Sequence, residues 1–229
     1  MIIDFFPASV RGGIERRKLI EKAESTRGFT DDYSVFGRDY FDNPDLGVGY
    51  GNYAYDGRFA DVAKTMIEHY GLQRGDRVLE VGCAKGFVLV EFQKLGMEVE
   101  GLDASAYAVE HAHPDLQGHV RVGDVCALPF PDDSFDLVLS KEMLPHVPED
   151  QVRKAVQECM RVSKGPIFLE IQCGRTEKEL EYMKRWDGTH KTMRTPEWWN
   201  ALFAEIGYEG DVHYKVLIPE DDSSFPQHS

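Results

Sequence analysis

A three-layer α/β sandwich around a parallel sheet is the fold this sequence predicts, and three observations carry it. From residue 77 onward, short apolar strands alternate with amphipathic helices. The strand segments are almost continuously apolar, as strands covered by helices on both faces are. The first of them runs into a glycine-rich turn, Glu80-Val81-Gly82-Cys83-Ala84-Lys85-Gly86, that opens a helix.

The elements follow in order. Residues 1–60 are irregular and rich in Gly, Asp and aromatics, with a helix expected over about 14–25. A Tyr- and Gly-rich run at 50–58 precedes a helix over 59–70, where Phe59, Val62, Met66 and Ile67 recur at helical spacing. Strands are expected at 78–81, 98–102, 120–122, 135–140 and 166–171, and helices at 87–95, 105–113 and 150–162. In the last of these helices Val152, Ala155, Val156, Cys159 and Met160 share one face. A charged helix over 175–186 comes next. Thr195 and Pro196 then mark a helix start, an N-cap followed by proline at the first position. That helix stops near Gly207, an alternating strand covers 211–218, and the acidic 219–229 reads as a frayed tail.

Length and composition fit one domain with elaborated ends. The expected partition is an N-terminal extension or lid (1–74), a ligand-binding core (75–172), a substrate cap (173–194), a last helix and strand (195–218) and a flexible tail (219–229). With 26 basic and 40 acidic residues the net charge is −14. This argues against a nucleic-acid partner, which needs a basic field, and against anionic membranes. No apolar run approaches the roughly 20 residues that span a bilayer. The segment from Met1 to Phe6 is apolar but short and carries Asp4, so no secretory leader is expected. Cys83, Cys126, Cys159 and Cys173 are scattered without a CxxC pair. They suit reduced thiols and a cytoplasmic location, and no zinc site is expected of them. His111 and His113, two apart, share no helical face and read as solvated.

The turn at 80–86 constrains the ligand. Small residues let a ligand approach the backbone closely, at the carboxyl end of a strand where open α/β sheets bind. A dinucleotide fold wants G-x-G-x-x-G with a pyrophosphate at the helix N-terminus. Here the spacing is Gly82-x-Ala84-x-Gly86, Phe87 stands where the last glycine would fall, and Glu80 places an anion two residues ahead. Those features disfavour a pyrophosphate and suit a cationic ligand with a zwitterionic tail, leaving a nicotinamide-dependent oxidoreductase as the rival reading.

The run resembles motif I of the class I S-adenosylmethionine-dependent methyltransferases, E/D-x-G-x-G-x-G, with Ala84 in place of the middle glycine. The resemblance continues through Asp103 in GLDAS, Asp124-Val125 after the third strand, and LPFPDDSFDLV before the fourth, covering about 75–172. It implies a Rossmann-like, doubly wound sheet of order 3-2-1-4-5 with at least one further C-terminal strand. The family typically carries a hairpin of two strands there, and only one is identifiable. It implies S-adenosyl-L-methionine as cofactor, held by Glu80, Gly82, Cys83, Ala84 and Gly86 in the turn. Asp103 and Ala104 would meet the ribose, Asp124 and Val125 the adenine, and Ser140 would contact the cofactor from the end of the fourth strand. Tyr53 and Arg58 would close from the N-terminal segment, the arginine on the cofactor carboxylate.

The methyl acceptor is less constrained. The N/D-P-P-Y/F signature of adenine- and amide-directed enzymes is replaced by Ser140-Lys141-Glu142-Met143, and no Asp/Asn cluster suggests a metal. His146, just past the fourth strand, is a candidate general base, with Glu142 and the cap residue His190 as further catalytic candidates. Residues 173–194 carry six basic and four acidic side chains, opposite in sign to the whole. A small anionic metabolite is therefore one expected acceptor, and a solvated helix with internal ion pairs the alternative. A hydroxyl acceptor is favoured, with an amine acceptor or a non-catalytic cofactor-binding module as alternatives.

Overall fold

The structure is a computed structural model and describes residues 4–6, 30–46, 50 and 52–216. The helix expected over 14–25 and the tail at 219–229 lie outside these residues. Six strands, β1 (Arg77–Val81), β2 (Glu98–Asp103), β3 (Val120–Val122), β4 (Leu137–Lys141), β5 (Ile167–Cys173) and β6 (Asp211–Val216), form one sheet in the order β3-β2-β1-β4-β5-β6. Every pairing is parallel, with Val81 opposite Leu102, Glu80 opposite Leu139 and Glu170 opposite His213. The added strand β6 thus joins the edge parallel to β5, through a crossover that begins with helix α7 (Glu177–Trp186).

The sheet sorts its side chains by the two-residue period of a strand. Ile167, Leu169 and Ile171 of β5 face one core, shared with α6 (Glu149–Val162) and α8 (Pro196–Ile206) and filled by the fully buried Trp199. Phe168 faces the other core, which α3 (Ala60–Tyr70) and α4 (Leu89–Lys94) cover and into which Phe5 and Phe6 insert. The Phe5 ring meets Phe168 edge-on with centroids 5.0 Å apart. Helix ends follow the expected chemistry: the Thr195 side chain accepts from the Trp198 amide, and Gly207 closes α8 in the left-handed conformation.

Three differences from expectation have local causes. The strand expected from 135 starts at Leu137, because Asp136 accepts the Arg77 amide (2.9 Å) and Phe135 bridges only to Ser163. Asp136 also pairs with Lys164 at 3.0 Å, a structural role. Helix α5 (Ala106–Glu110) is shorter than expected, because Pro114 starts a separate one-turn helix at Pro114–Leu116. Two one-turn helices, α1 (Asp31–Ser34) and α2 (Arg38–Phe41), were not anticipated. Four residues are too few to display a helical period.

The topology also fixes where a ligand can sit. Strand β1 lies between β2 and β4, and the connections leave it in opposite directions. The crevice beyond the carboxyl ends of these strands is the switch point at which such sheets bind.

Candidate functional site

A cavity of about 310 Å³ opens at that switch point. Its floor comes from Val81, Gly82 and Ala84 at the end of β1, Leu102, Asp103 and Ala104 at the end of β2, and Gly123, Asp124 and Val125 after β3. Its opposite wall comes from Lys141 at the end of β4 and Glu142, Met143 and His146 beyond it, together with Lys191. Phe36, Tyr40, Phe41 and Tyr50 of the N-terminal segment cover it.

The turn keeps the floor low. Gly82 has φ +76°, and a Cβ there would stand 2.4 Å from the Met143 side chain. Ala84 adopts φ 49° without being glycine, a left-handed backbone that costs roughly 1–2 kcal/mol for an L-residue. Its amide donates to Asp103 Oδ2 at 2.7 Å, and the Ser105 amide donates to Oδ1 at 2.8 Å. Each Asp103 oxygen keeps a second lone pair for a ligand hydroxyl. Burial raises the Asp103 carboxyl above its ordinary value, with those amides opposing it. Asp124 caps a one-turn helix by accepting the Cys126 amide at 2.8 Å.

The cover is fastened from below. Lys85, inside the glycine-rich turn, reaches Asp42 at 2.6 Å and the Tyr53 carbonyl at 3.0 Å. The Tyr107 hydroxyl donates to the same Asp42 at 2.8 Å, and the Ser105 hydroxyl donates to the Phe36 carbonyl at 2.5 Å. Lys85 therefore anchors the lid and does not serve a ligand phosphate.

At the acceptor end, Asp187 is buried beneath His146. It accepts hydrogen bonds from the Tyr33 and Tyr40 hydroxyls (both 3.1 Å), the Thr189 amide (2.9 Å) and the Thr189 hydroxyl (2.6 Å). The same hydroxyl oxygen lies 2.9 Å from His146 Nδ1. The His190 ring stands 4.8 Å from the His146 ring, and its Nδ1 donates to the Met183 carbonyl at 3.1 Å. Burial lowers both histidines, and the two imidazoles and the Thr189 hydrogen bonds hold Asp187 low despite its own burial. The pocket therefore keeps neutral imidazoles beside an ionised carboxylate. Ligand atoms of His146, Asp187 and His190 come within 4.8 Å of one another. The four hydrogen bonds on Asp187 and the commitment of His146 Nδ1 to Thr189 organise the cluster for protons.

Of the residues singled out in the sequence, the structure brings Gly82, Ala84, Asp103, Ala104, Asp124, Val125, Glu142 and His146 to the cavity wall. Cys83 and Gly86 pack underneath, the latter at φ +74° with Leu116 where a Cβ would project. Ser140 is buried in β4 with its Oγ unpartnered among the described residues. Glu80 lies in β1 below the turn, also with an unpartnered oxygen, and burial pushes its carboxyl up to about 8. Tyr53 packs on Phe87 (4.6 Å) and Tyr50 (4.2 Å) behind the wall, where Tyr50 is the ring that lines the cavity.

Three expectations are corrected. Arg58 lies away from the cavity in a tight pair with Asp56 (2.6 Å), so it is not the carboxylate holder. Glu142 has its oxygens bound by Lys141 (3.1 Å), Lys215 and Gln172, which leaves it a poor base. His190 sits behind His146 and off the cavity wall. In the cap, the basic surplus resolves into pairs such as Arg175–Glu179 and Arg194–Glu149, and Lys191 is the cap cation on the cavity wall. Asp187 and Thr189 were missed as site residues. Their only sequence signal is a polar pair within the cap, and the contacts that matter span 154, 147 and 43 residues.

In sequence and fold the chain is similar to known methyltransferases. A family model described as a methyltransferase domain matches residues 79–166. An uncharacterized Bacillus subtilis methyltransferase, YcgJ, is 38% identical over 171 residues, covering 68% of this chain and 67% of the relative. Its crystal structure aligns with TM-score 0.53 and 29% identity, over 63% of this chain and 66% of that one. The 2-methyl-6-phytyl-1,4-hydroquinone methyltransferase of a Synechocystis species is 31% identical, covering 69% of this chain and 52% of the relative. A ubiquinone biosynthesis O-methyltransferase of a Chelativorans species is 29% identical, covering 63% and 66%. The chain thus spans about half to two thirds of the length of these relatives. No helix among the described residues is long and apolar enough to cross a membrane.

Proposed function

This chain belongs to the class I S-adenosylmethionine-dependent methyltransferases, and we propose that it methylates a hydroxyl group on a small acceptor that carries an anion. The cofactor fits the residues present: a glycine floor without room for a Cβ, a half-buried carboxylate with two lone pairs for a ribose diol, and Asp124 beside Val125 for an adenine edge. When bound, S-adenosylmethionine supplies an electrophilic methyl group.

The chain's own contribution is alignment, exclusion of water and removal of a proton. Phe36, Tyr40, Phe41 and Tyr50 roof the cavity, and their electron-rich faces suit a positive sulfonium. His146 is the wall residue suited to take the acceptor proton, since Glu142 is bound by two lysines and Gln172. His146 would accept the proton that the acceptor hydroxyl gives up on methylation. Lys191, exposed and on the same wall, is placed for a carboxylate or phosphate on the acceptor.

The observation that carries the reading is a neutral imidazole on the cavity wall, backed by a buried carboxylate. The ubiquinone-pathway relative, an O-methyltransferase by name, supports oxygen as the acceptor atom. The test is a panel of hydroxy acids, phenols and phosphorylated alcohols, with matched amines, scored by S-adenosylhomocysteine release. Turnover confined to hydroxyl compounds bearing an anion is expected, and turnover confined to amines would overturn the reading. The reading places the protein in the cytoplasm, with no nucleic-acid or membrane partner.

A further inference from the structure

We propose that Thr189, seated between Asp187 and His146, is a positioning residue that fixes the His146 tautomer, leaving Nε2 as the unprotonated nitrogen for the acceptor. This deepens the reading of His146 as the base and rests on it. The argument is proton counting. A threonine hydroxyl has one hydrogen. Its oxygen lies 2.6 Å from Asp187 Oδ1 and 2.9 Å from His146 Nδ1. An ionised carboxylate only accepts, so the Thr189 hydrogen goes to Asp187. The Thr189 oxygen must then accept from His146, which requires Nδ1–H and a bare Nε2.

Asp187 is in turn held in place from the opposite side of the site. The Tyr33 and Tyr40 hydroxyls of the N-terminal segment each donate to it at 3.1 Å. The ring of Tyr40 also stands edge-on to His146, 6.3 Å away, as does Phe36 at 5.6 Å. Lid, cap and base therefore form one chain of contacts: Tyr33 and Tyr40, Asp187, Thr189, His146. The charged and titratable groups bearing on His146 are Asp187, His190 and Lys191. Asp187 favours the imidazolium that forms during the reaction, and the other two oppose it. Thr189 delivers the influence of Asp187 through a hydrogen bond, without placing the carboxylate in direct contact with the ring.

The test is 15N NMR of the imidazole nitrogens of His146 in the full chain without ligand, in the wild type, Thr189→Val and Thr189→Ser, with His146→Gln to assign the signals. The wild type and Thr189→Ser are expected to show Nδ1–H, and Thr189→Val a mixture or the opposite tautomer. In turnover, Thr189→Val is expected to lower kcat about 100-fold, the low end of a general-base contribution. KM should hold, the acidic limb of the pH profile should move, and Thr189→Ser should recover most of the rate. An Nε2–H tautomer in the wild type would overturn the inference whatever the turnover data show, and needs no folded valine variant. An unchanged rate in His146→Gln alongside Nδ1–H in the wild type would instead remove the base assignment and leave the tautomer intact.

Discussion

The two ends of the cavity are built in opposite ways. The cofactor end draws on three strand-to-helix turns within residues 81–125, each fixed by contacts close to its own strand. The acceptor end is assembled from Tyr33 and Tyr40, His146, and Asp187 to Lys191, whose side-chain hydrogen bonds span 154, 147 and 43 residues of sequence. Strand geometry alone sets the first. The second exists only once lid and cap are docked. A ligand common to a whole family can be served by a local motif, whereas acceptor choice resides in parts free to vary around it.

Substitutions at the two ends should separate binding of the cofactor from chemistry on the acceptor. The largest expected effect is at the acceptor end: His146→Ala should reduce kcat by about 10²–10⁴-fold. Its S-adenosylhomocysteine affinity by calorimetry should stay near the wild-type value. At the cofactor end, Asp103→Ala removes a half-buried acceptor and strands the Ala84 and Ser105 amides. Lost charged hydrogen bonds of about 1.5–3 kcal/mol imply 10- to 100-fold weaker S-adenosylhomocysteine binding.

Lys191→Met should raise the acceptor KM about three- to five-fold, as expected for an exposed ion pair of up to about 1 kcal/mol. The effect should shrink as salt is added, with cofactor affinity unchanged. Smallest is Ala84→Gly, which relieves the left-handed alanine at φ 49°. Part of that roughly 1–2 kcal/mol is offset by the greater freedom of glycine in the unfolded chain. A rise in Tm of about 2 °C is expected.

Acid–base behaviour offers a further way to separate the two regions. Burial pushes Glu80 up to about 8 from an unfolded value near 4.5. The folded state thus retains a proton that the unfolded chain releases. Its contribution is complete below pH 4.5 and is lost as pH rises toward 8. Glu80→Gln should flatten that decline in urea unfolding measured across this range. The histidines have the opposite sign. Burial depresses His146 and His190, so the stability of keeping them neutral is present above the unfolded histidine value and lost as pH falls below it.

How much was legible from sequence follows the same division. The strands between 77 and 173 and the turn at 80–86 are local patterns that the structure reproduces to within two residues, and it sets Asp103 and Asp124 on the cavity wall. Strand β6 was found, though its parallel pairing with β5 comes from the crossover geometry, not from its six residues. Arg58 looked suited to a carboxylate until its neighbour Asp56 claimed it, a two-residue turn that periodicity does not show. Glu142 appeared free because Gln172 and Lys215 reach it only across the sheet. Asp187 and Thr189 acquire meaning only from His146, Tyr33 and Tyr40, which no spacing rule connects to them.

The measurement that bears most directly on this division is calorimetric titration of S-adenosylhomocysteine into wild type, Asp103→Ala and Thr189→Val. Binding by the wild type and by Thr189→Val with similar Kd, and at least 10-fold weaker binding by Asp103→Ala, is the predicted result. Equal binding by Asp103→Ala, or loss of binding in a folded Thr189→Val, would contradict it.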